Sequence, residues 1–123
     1  MTHQQISREM QECIQNCLDC HAVCLETIGH CLAMGGEHAS PDHIKLLQDC
    51  AQICITSADF MLRMSEYHPQ TCGICADLCE ACARDCESMA HGADFMQRCA
   101  DACRKCAESC RRMASGTGAS ASM

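Results

Sequence analysis

Cys13, Cys17, Cys20 and Cys24 are spaced four, three and four residues apart, and the same spacing returns in Cys75, Cys79, Cys82, Cys86 and in Cys99, Cys103, Cys106, Cys110. A worn copy lies between them, Cys50, Cys54, Ser57, Met61, with Leu47 before it and Met64 after it. Cys72 extends the third stripe, and Cys31 continues the first after a skipped position at Thr27 or Ile28. Thiols in such number, 16 in 123 residues, have three chemical uses: disulfides, packing as a small hydrophobe, and metal binding. Residues three or four apart on a helix hold their Cβ atoms about 5–6 Å apart, whereas a disulfide needs about 3.8 Å, so bridges within a stripe would require unwinding. Bridges across helices stay geometrically open. Packing alone explains one buried cysteine, but Leu or Ile would bury more area and resist oxidation at so many positions.

Metal binding fits the pattern best, and the pattern discriminates among metals. Structural zinc and iron–sulfur clusters gather four ligands around one centre, commonly from loops, while a continuous helical stripe presents pairs. Two thiolates four residues apart can close on one ion across roughly 4–5 Å, an arrangement suited to soft, monovalent Cu(I). Charge separates the candidates further. Replacing a thiol proton by Cu(I) leaves the core charge unchanged, whereas four Zn(Cys)4 centres would bury about −8 with no Lys or Arg on the stripe.

The spacing of four and three is also the inward seam of a bundle helix, so the stripes define the elements that position them. Gly35-Gly36 closes a first segment, and Ser40-Pro41 opens a second with a cap residue and a proline at the first helical position. His68-Pro69 is expected to end that segment, Thr71 to cap a third, and Gly92 to divide third from fourth. The predicted fold is all-α, an antiparallel four-helix bundle with a Cys-lined core. One domain over 1–114 carries helices near 5–34, 41–67, 71–91 and 94–114, and a flexible tail covers 115–123. Gln, Glu, Asp, Arg and Ala between the stripes read as a solvated face.

Leu, Ile, Val and Phe together number 17, few enough, with net charge −7, to suggest disorder if the thiols did not complete the core. The first residues lack a basic region followed by an apolar stretch, and no apolar run reaches about 18 residues, so the expected setting is cytoplasmic, with reduced thiols and no membrane partner. The acidic balance and the absence of Trp argue against nucleic acid as a partner.

At CIQNCLDCHAVC, CGICADLCEACARDC and CADACRKCAESC the chain resembles the bacterial copper storage proteins, specifically their cytosolic branch, over about Cys13 to Met113. The resemblance implies a four-helix bundle filled with Cu(I), a homotetramer, and binding through CxxxC pairs. Here those are Cys13/Cys17, Cys20/Cys24, Cys50/Cys54, Cys75/Cys79, Cys82/Cys86, Cys99/Cys103 and Cys106/Cys110, with Cys31 and Cys72 as extra donors. It also implies His, Met or acidic groups at an open end where copper enters. One end of the predicted bundle gathers Met34, His38, His43, Met89, His91 and Met96, and the other Met10, Met61, Met64, His68 and Met113; His43, Met89, His91 and Met61 are taken as mouth ligands, with the His-rich end as the mouth. His21 and His30 read as surface residues.

The expected function is binding and storage of about one Cu(I) per cysteine, buffering or detoxifying copper without a catalytic cycle. Copper would be exchanged with a copper chaperone or a small-molecule thiol. The alternatives are an iron–sulfur electron carrier and a thiol-redox protein acting through Cys72, near the start of the third helix.

Overall fold

The computed structural model describes residues 6–89, 91 and 93–115. Four helices, α1 (Arg8–Met34), α2 (Pro41–Leu62), α3 (His68–Ser88) and α4 (Asp94–Ala114), run antiparallel in chain order, with a short 3-10 turn at Gly36–Ala39 before α2. Each helix packs against two others: α1 against α2 and α4, and α3 against α2 and α4. Helices on opposite corners therefore meet only through the side chains of the shared core.

The helix ends follow local chemistry, and several differ from the sequence expectation. Ser7 caps α1 by accepting from the Met10 amide at 3.1 Å. Gly35 then ends α1 at φ 75°, its amide bonded to the Cys31 carbonyl at 3.1 Å, and Gly36 follows at φ 59°. Positive φ at two successive residues is the conformation glycine adopts without steric cost. Ser40 stands at the cap position of α2 with Pro41 behind it, but its side chain makes no capping bond.

The second helix stops at Leu62 rather than near residue 67. Met64 takes φ 57°, its amide bonds the Met61 carbonyl at 3.0 Å, and the Ser65 amide reaches back to the Phe60 carbonyl at 2.9 Å. That is a Schellman termination built on Met instead of the usual glycine, which hides it from a reading keyed on Gly and Pro. Pro69 lies inside the first turn of α3 instead of ending α2, because a first-turn amide has no intrahelical acceptor to lose. Thr71 consequently caps nothing; its hydroxyl donates to the His68 carbonyl at 3.1 Å. The third helix ends at Ser88, three residues before the expected 91. Gly92 and residues 116–123 of the expected tail lie outside the described residues.

All sixteen cysteines are free and buried. Among the described residues the core holds only two branched aliphatic side chains, Ile14 and Leu47. Ala51, Ala58, Ala76, Ala83, Ala100 and Ala107 are buried as well, so the alanines expected on a solvated face instead line helix contacts. Their small side chains let backbones approach closely enough for thiols, shorter than Leu, to meet across the bundle. Exposed ion pairs from Arg104 to Glu87 and from Arg111 to Asp77 and Glu80 join α3 to α4. Solvent screens pairs this exposed, so the buried seam carries the stability.

Candidate metal centre

Every helix carries one uninterrupted seam of buried residues at alternating spacings of three and four. On α1 it is Met10, Cys13, Cys17, Cys20, Cys24, Thr27, Cys31, and on α2 His43, Leu47, Cys50, Cys54, Ser57, Met61. On α3 it is His68, Cys72, Cys75, Cys79, Cys82, Cys86, and on α4 Met96, Cys99, Cys103, Cys106, Cys110, Met113. The antiparallel order stacks these seams into layers. The central layer joins Cys20 to Cys50, Cys79 and Cys103 at 3.9, 4.0 and 3.7 Å, and Cys50 to Cys79 at 3.6 Å. Beside it Cys54 lies 3.7 Å from Cys75 and 3.9 Å from Cys106, and Cys106 lies 3.6 Å from Cys17.

Sets of four thiols whose sulfurs all fall within 4.8 Å include Cys17/Cys75/Cys106/Cys110, Cys20/Cys50/Cys54/Cys79, Cys20/Cys24/Cys50/Cys103, Cys24/Cys82/Cys99/Cys103 and Cys54/Cys75/Cys79/Cys106. These sets share members. Isolated tetrahedral zinc centres need ligands of their own, so no two overlapping sets can be filled that way at once. A shared thiolate suits ions that it bridges. Within helices the i, i+4 sulfurs of Cys20/Cys24, Cys75/Cys79 and Cys106/Cys110 stand 4.0, 3.8 and 3.9 Å apart. Two metal–sulfur bonds of about 2.3 Å span at most about 4.6 Å, so rotamer adjustment of well under an ångström places one ion between such a pair.

Proton affinities alternate through this network. Cys103, itself held above the ordinary thiol range, donates an S–H group that holds Cys50 below it. Hydrogen bonding to Cys106 and to Cys20 holds Cys79 and Cys103 above it. A thiolate that accepts several S–H bonds is stabilised, and its donors then keep their protons. The thiols held lowest are thus the first to give up their protons to an arriving cation, and the rest follow as ions replace theirs.

The end formed by the C-termini of α1 and α3 and the N-termini of α2 and α4 is chemically different. His43 is buried, and its Nε2 lies 3.3 Å from the Cys31 sulfur, which lies 3.6 Å from the Met96 sulfur. The Nδ1–H of His43 donates to Asp85 Oδ2 at 2.5 Å, leaving the Nε2 lone pair toward Cys31. A carboxylate behind a ligating imidazole fixes its tautomer and orientation. Burial, with the negative charges of Cys99 and Asp85, pushes the Cys31 thiol up to about 11.

The expected mouth residues divide. His43 joins Cys31 and Met96, Met89 packs half-buried at the edge of the core, and Met61 is buried at the opposite end. His91 is 70% exposed and 3.9 Å from Glu37, away from the thiols. His30 is exposed and stacks on Phe95, as a surface residue can. His21 is not a plain surface residue: half-buried, it donates from Nδ1 to the Ala51 carbonyl at 2.8 Å and ties α1 to α2. Asp85 was missed in the sequence, where it reads as one more charge between thiols; its only signal is its place directly before the seam residue Cys86.

The copper storage protein family profile matches residues 6–115. The chain belongs to the copper storage protein family. A copper storage protein in its Cu(I)-bound form, BsCsp3, superimposes with a TM-score of 0.79 at 37% identity, over 87% of this chain and 99% of that one. Nmul_A1745 of Nitrosospira multiformis superimposes at 0.81 and 45% identity, over 88% and 96%. A cytosolic copper storage protein of Streptomyces lividans, with five coppers, gives 0.76 at 28% identity, over 88% and 93%. The uncharacterized cysteine-rich protein YhjQ of Bacillus subtilis is 38% identical over 68 residues, and that match spans 63% of its length.

Proposed function

We propose that this protein binds and stores many Cu(I) ions, about one per cysteine, in the thiol layers of its bundle. The observation that supports this most strongly is the overlap of the four-thiol sets, which favours bridging thiolates over separate centres. Loading is an exchange: each thiol gives up its proton to solvent, the sulfur binds Cu(I), and the core charge is unchanged. A metal-free core of neutral thiols is therefore replaced by a loaded one at little electrostatic cost.

Cys31, His43 and Met96 form the receiving site, with Asp85 holding the His43 ring. Neutral imidazole and thioether donors flank a single thiol there, so an arriving ion is bound and then passed inward to sites richer in sulfur. His91, 70% exposed beside Glu37, stands apart from this site. The protein acts by binding rather than turnover.

The cytosol suits this role, because reducing conditions preserve sixteen free thiols and a structural relative is a cytosolic copper storage protein. A copper chaperone or a small-molecule thiol would deliver and withdraw the ion by ligand exchange. A homotetramer, as the family resemblance implies, is supported by the exposed Leu25 and Leu32, which stand on an outer face of α1 with Gly29 between them.

X-ray absorption at the copper edge of anaerobically loaded protein tests the reading. A first shell dominated by sulfur, with copper neighbours from bridging, is expected. A shell dominated by nitrogen and oxygen would overturn it.

A further inference from the structure

The end opposite Cys31 and His43 is closed by one residue from each helix: Met10 from α1, Met61 from α2, His68 from α3 and Met113 from α4. Each occupies the terminal position of its seam, so the four make the layer beyond Cys13, Ser57, Cys72 and Cys110. Met61 and Met113 are fully buried, Met10 is 4% exposed and His68 9%. Three methionines in a layer are, by themselves, ordinary packing. The histidine is not.

His68 Nδ1 lies 2.9 Å from the Ser65 carbonyl oxygen, which can only accept. The ring proton therefore sits on Nδ1, and the lone pair sits on Nε2. That Nε2 is shut off from solvent and has no hydrogen-bond partner among the described residues. An unpaired buried polar atom destabilises the fold, a cost that a ligand would remove. A fixed tautomer, backed by a carbonyl, is also how proteins present imidazole to metals. The remaining donors in the layer are thioethers, which select soft monovalent ions.

We propose that Met10, Met61, His68 and Met113 form a second kind of Cu(I) site, built without thiolate, at this end of the bundle. The inference rests on Cu(I) being the cargo, but its chemistry differs from that of the core. The four donors are neutral, so binding releases no proton and leaves one uncompensated positive charge. The site is consequently weaker than the thiolate layers and fills after them. Its ion is the one most readily surrendered to an acceptor, and Cys13, Cys72 and Cys110 stand in the next layer to refill it.

The test is an anaerobic Cu(I) titration of the full chain followed by nuclear magnetic resonance of the methionine ε-methyl groups and histidine rings, with released protons counted in parallel. The Met10, Met61 and Met113 methyls and the His68 ring are expected to shift together late in the titration, across one equivalent that releases no proton. Met34, 59% exposed, serves as the internal control. The variant M10L/M61L/M113L keeps side-chain volume and should lose that proton-free equivalent while the earlier, proton-releasing equivalents remain. Methyl shifts no larger than that of Met34, or a His68 ring that never moves, would overturn the proposal. Failure of the storage reading is separately visible as absence of the proton-releasing equivalents. The methyl and ring signals decide the end site in either case.

Discussion

Removing Cys103 and Cys106 together probes how the ions are shared. These two α4 thiols enter four of the four-thiol sets named above, Cys103 with Cys20, Cys24, Cys50, Cys82 and Cys99, and Cys106 with Cys17, Cys54, Cys75, Cys79 and Cys110. If each thiolate supports about one Cu(I), the double change to alanine lowers capacity from about sixteen ions to about fourteen. The survivors in each set remain within reach of one another. Cys50 and Cys79 are 3.6 Å apart, and Cys54 and Cys75 are 3.7 Å apart. Each Cys→Ala change deletes one fully buried sulfur, costing about 1 kcal/mol, and the pair of changes stays within a total stability of about 5–15 kcal/mol. Capacity is read by anaerobic titration against a chromophoric Cu(I) chelator with metal analysis of the isolated protein, and folding by circular dichroism. A loss of about eight ions in a folded variant would show that the clusters assemble all or none. No loss would show that these thiolates do not limit capacity.

Three further outcomes follow from the same structure. The reduced, metal-free protein should already be helical by circular dichroism, since its seams bury neutral thiols and alanines, and a coil spectrum that becomes helical only with copper would contradict this. Asp85→Asn leaves every thiol in place, so it should slow the first phase of Cu(I) uptake several-fold in stopped-flow measurements without changing capacity; an unchanged rate would remove His43 from the loading path. Cys31, pushed up to about 11 from an ordinary 9.0, holds its proton more tightly when folded, so this contribution to metal-free stability is full below about pH 9 and lost by about pH 11. Denaturant midpoints rising across that interval would contradict the assignment.

The stripes made the bundle legible because one residue type both defines the helical period and performs the chemistry. Cys20, Cys50, Cys79 and Cys103 meet at mid-bundle because identical spacings on antiparallel helices bring them to the same height. The end of α2 was not legible, since Met64 rather than glycine takes the left-handed position. The link from Asp85 to His43 was hidden for a different reason: it joins residues 42 positions apart and depends on the relative rotation of α2 and α3. The buried alanines were misread because a solvated alanine and one at a close helix contact look alike in sequence. His91 shows the converse error, a potential ligand type at the right end of the bundle but carried on an exposed turn.

The stoichiometry of the parent protein tests storage most directly. Cu(I) is added anaerobically to the fully reduced chain in the presence of a competing chelator, and protein-bound copper and released protons are both counted at saturation. About sixteen ions bound with a proton released for each, followed by no more than a few weaker, proton-free ones, is the predicted result. Saturation at four ions or fewer would contradict the account, because it would mean discrete four-thiol centres in place of a core filled through shared thiolates.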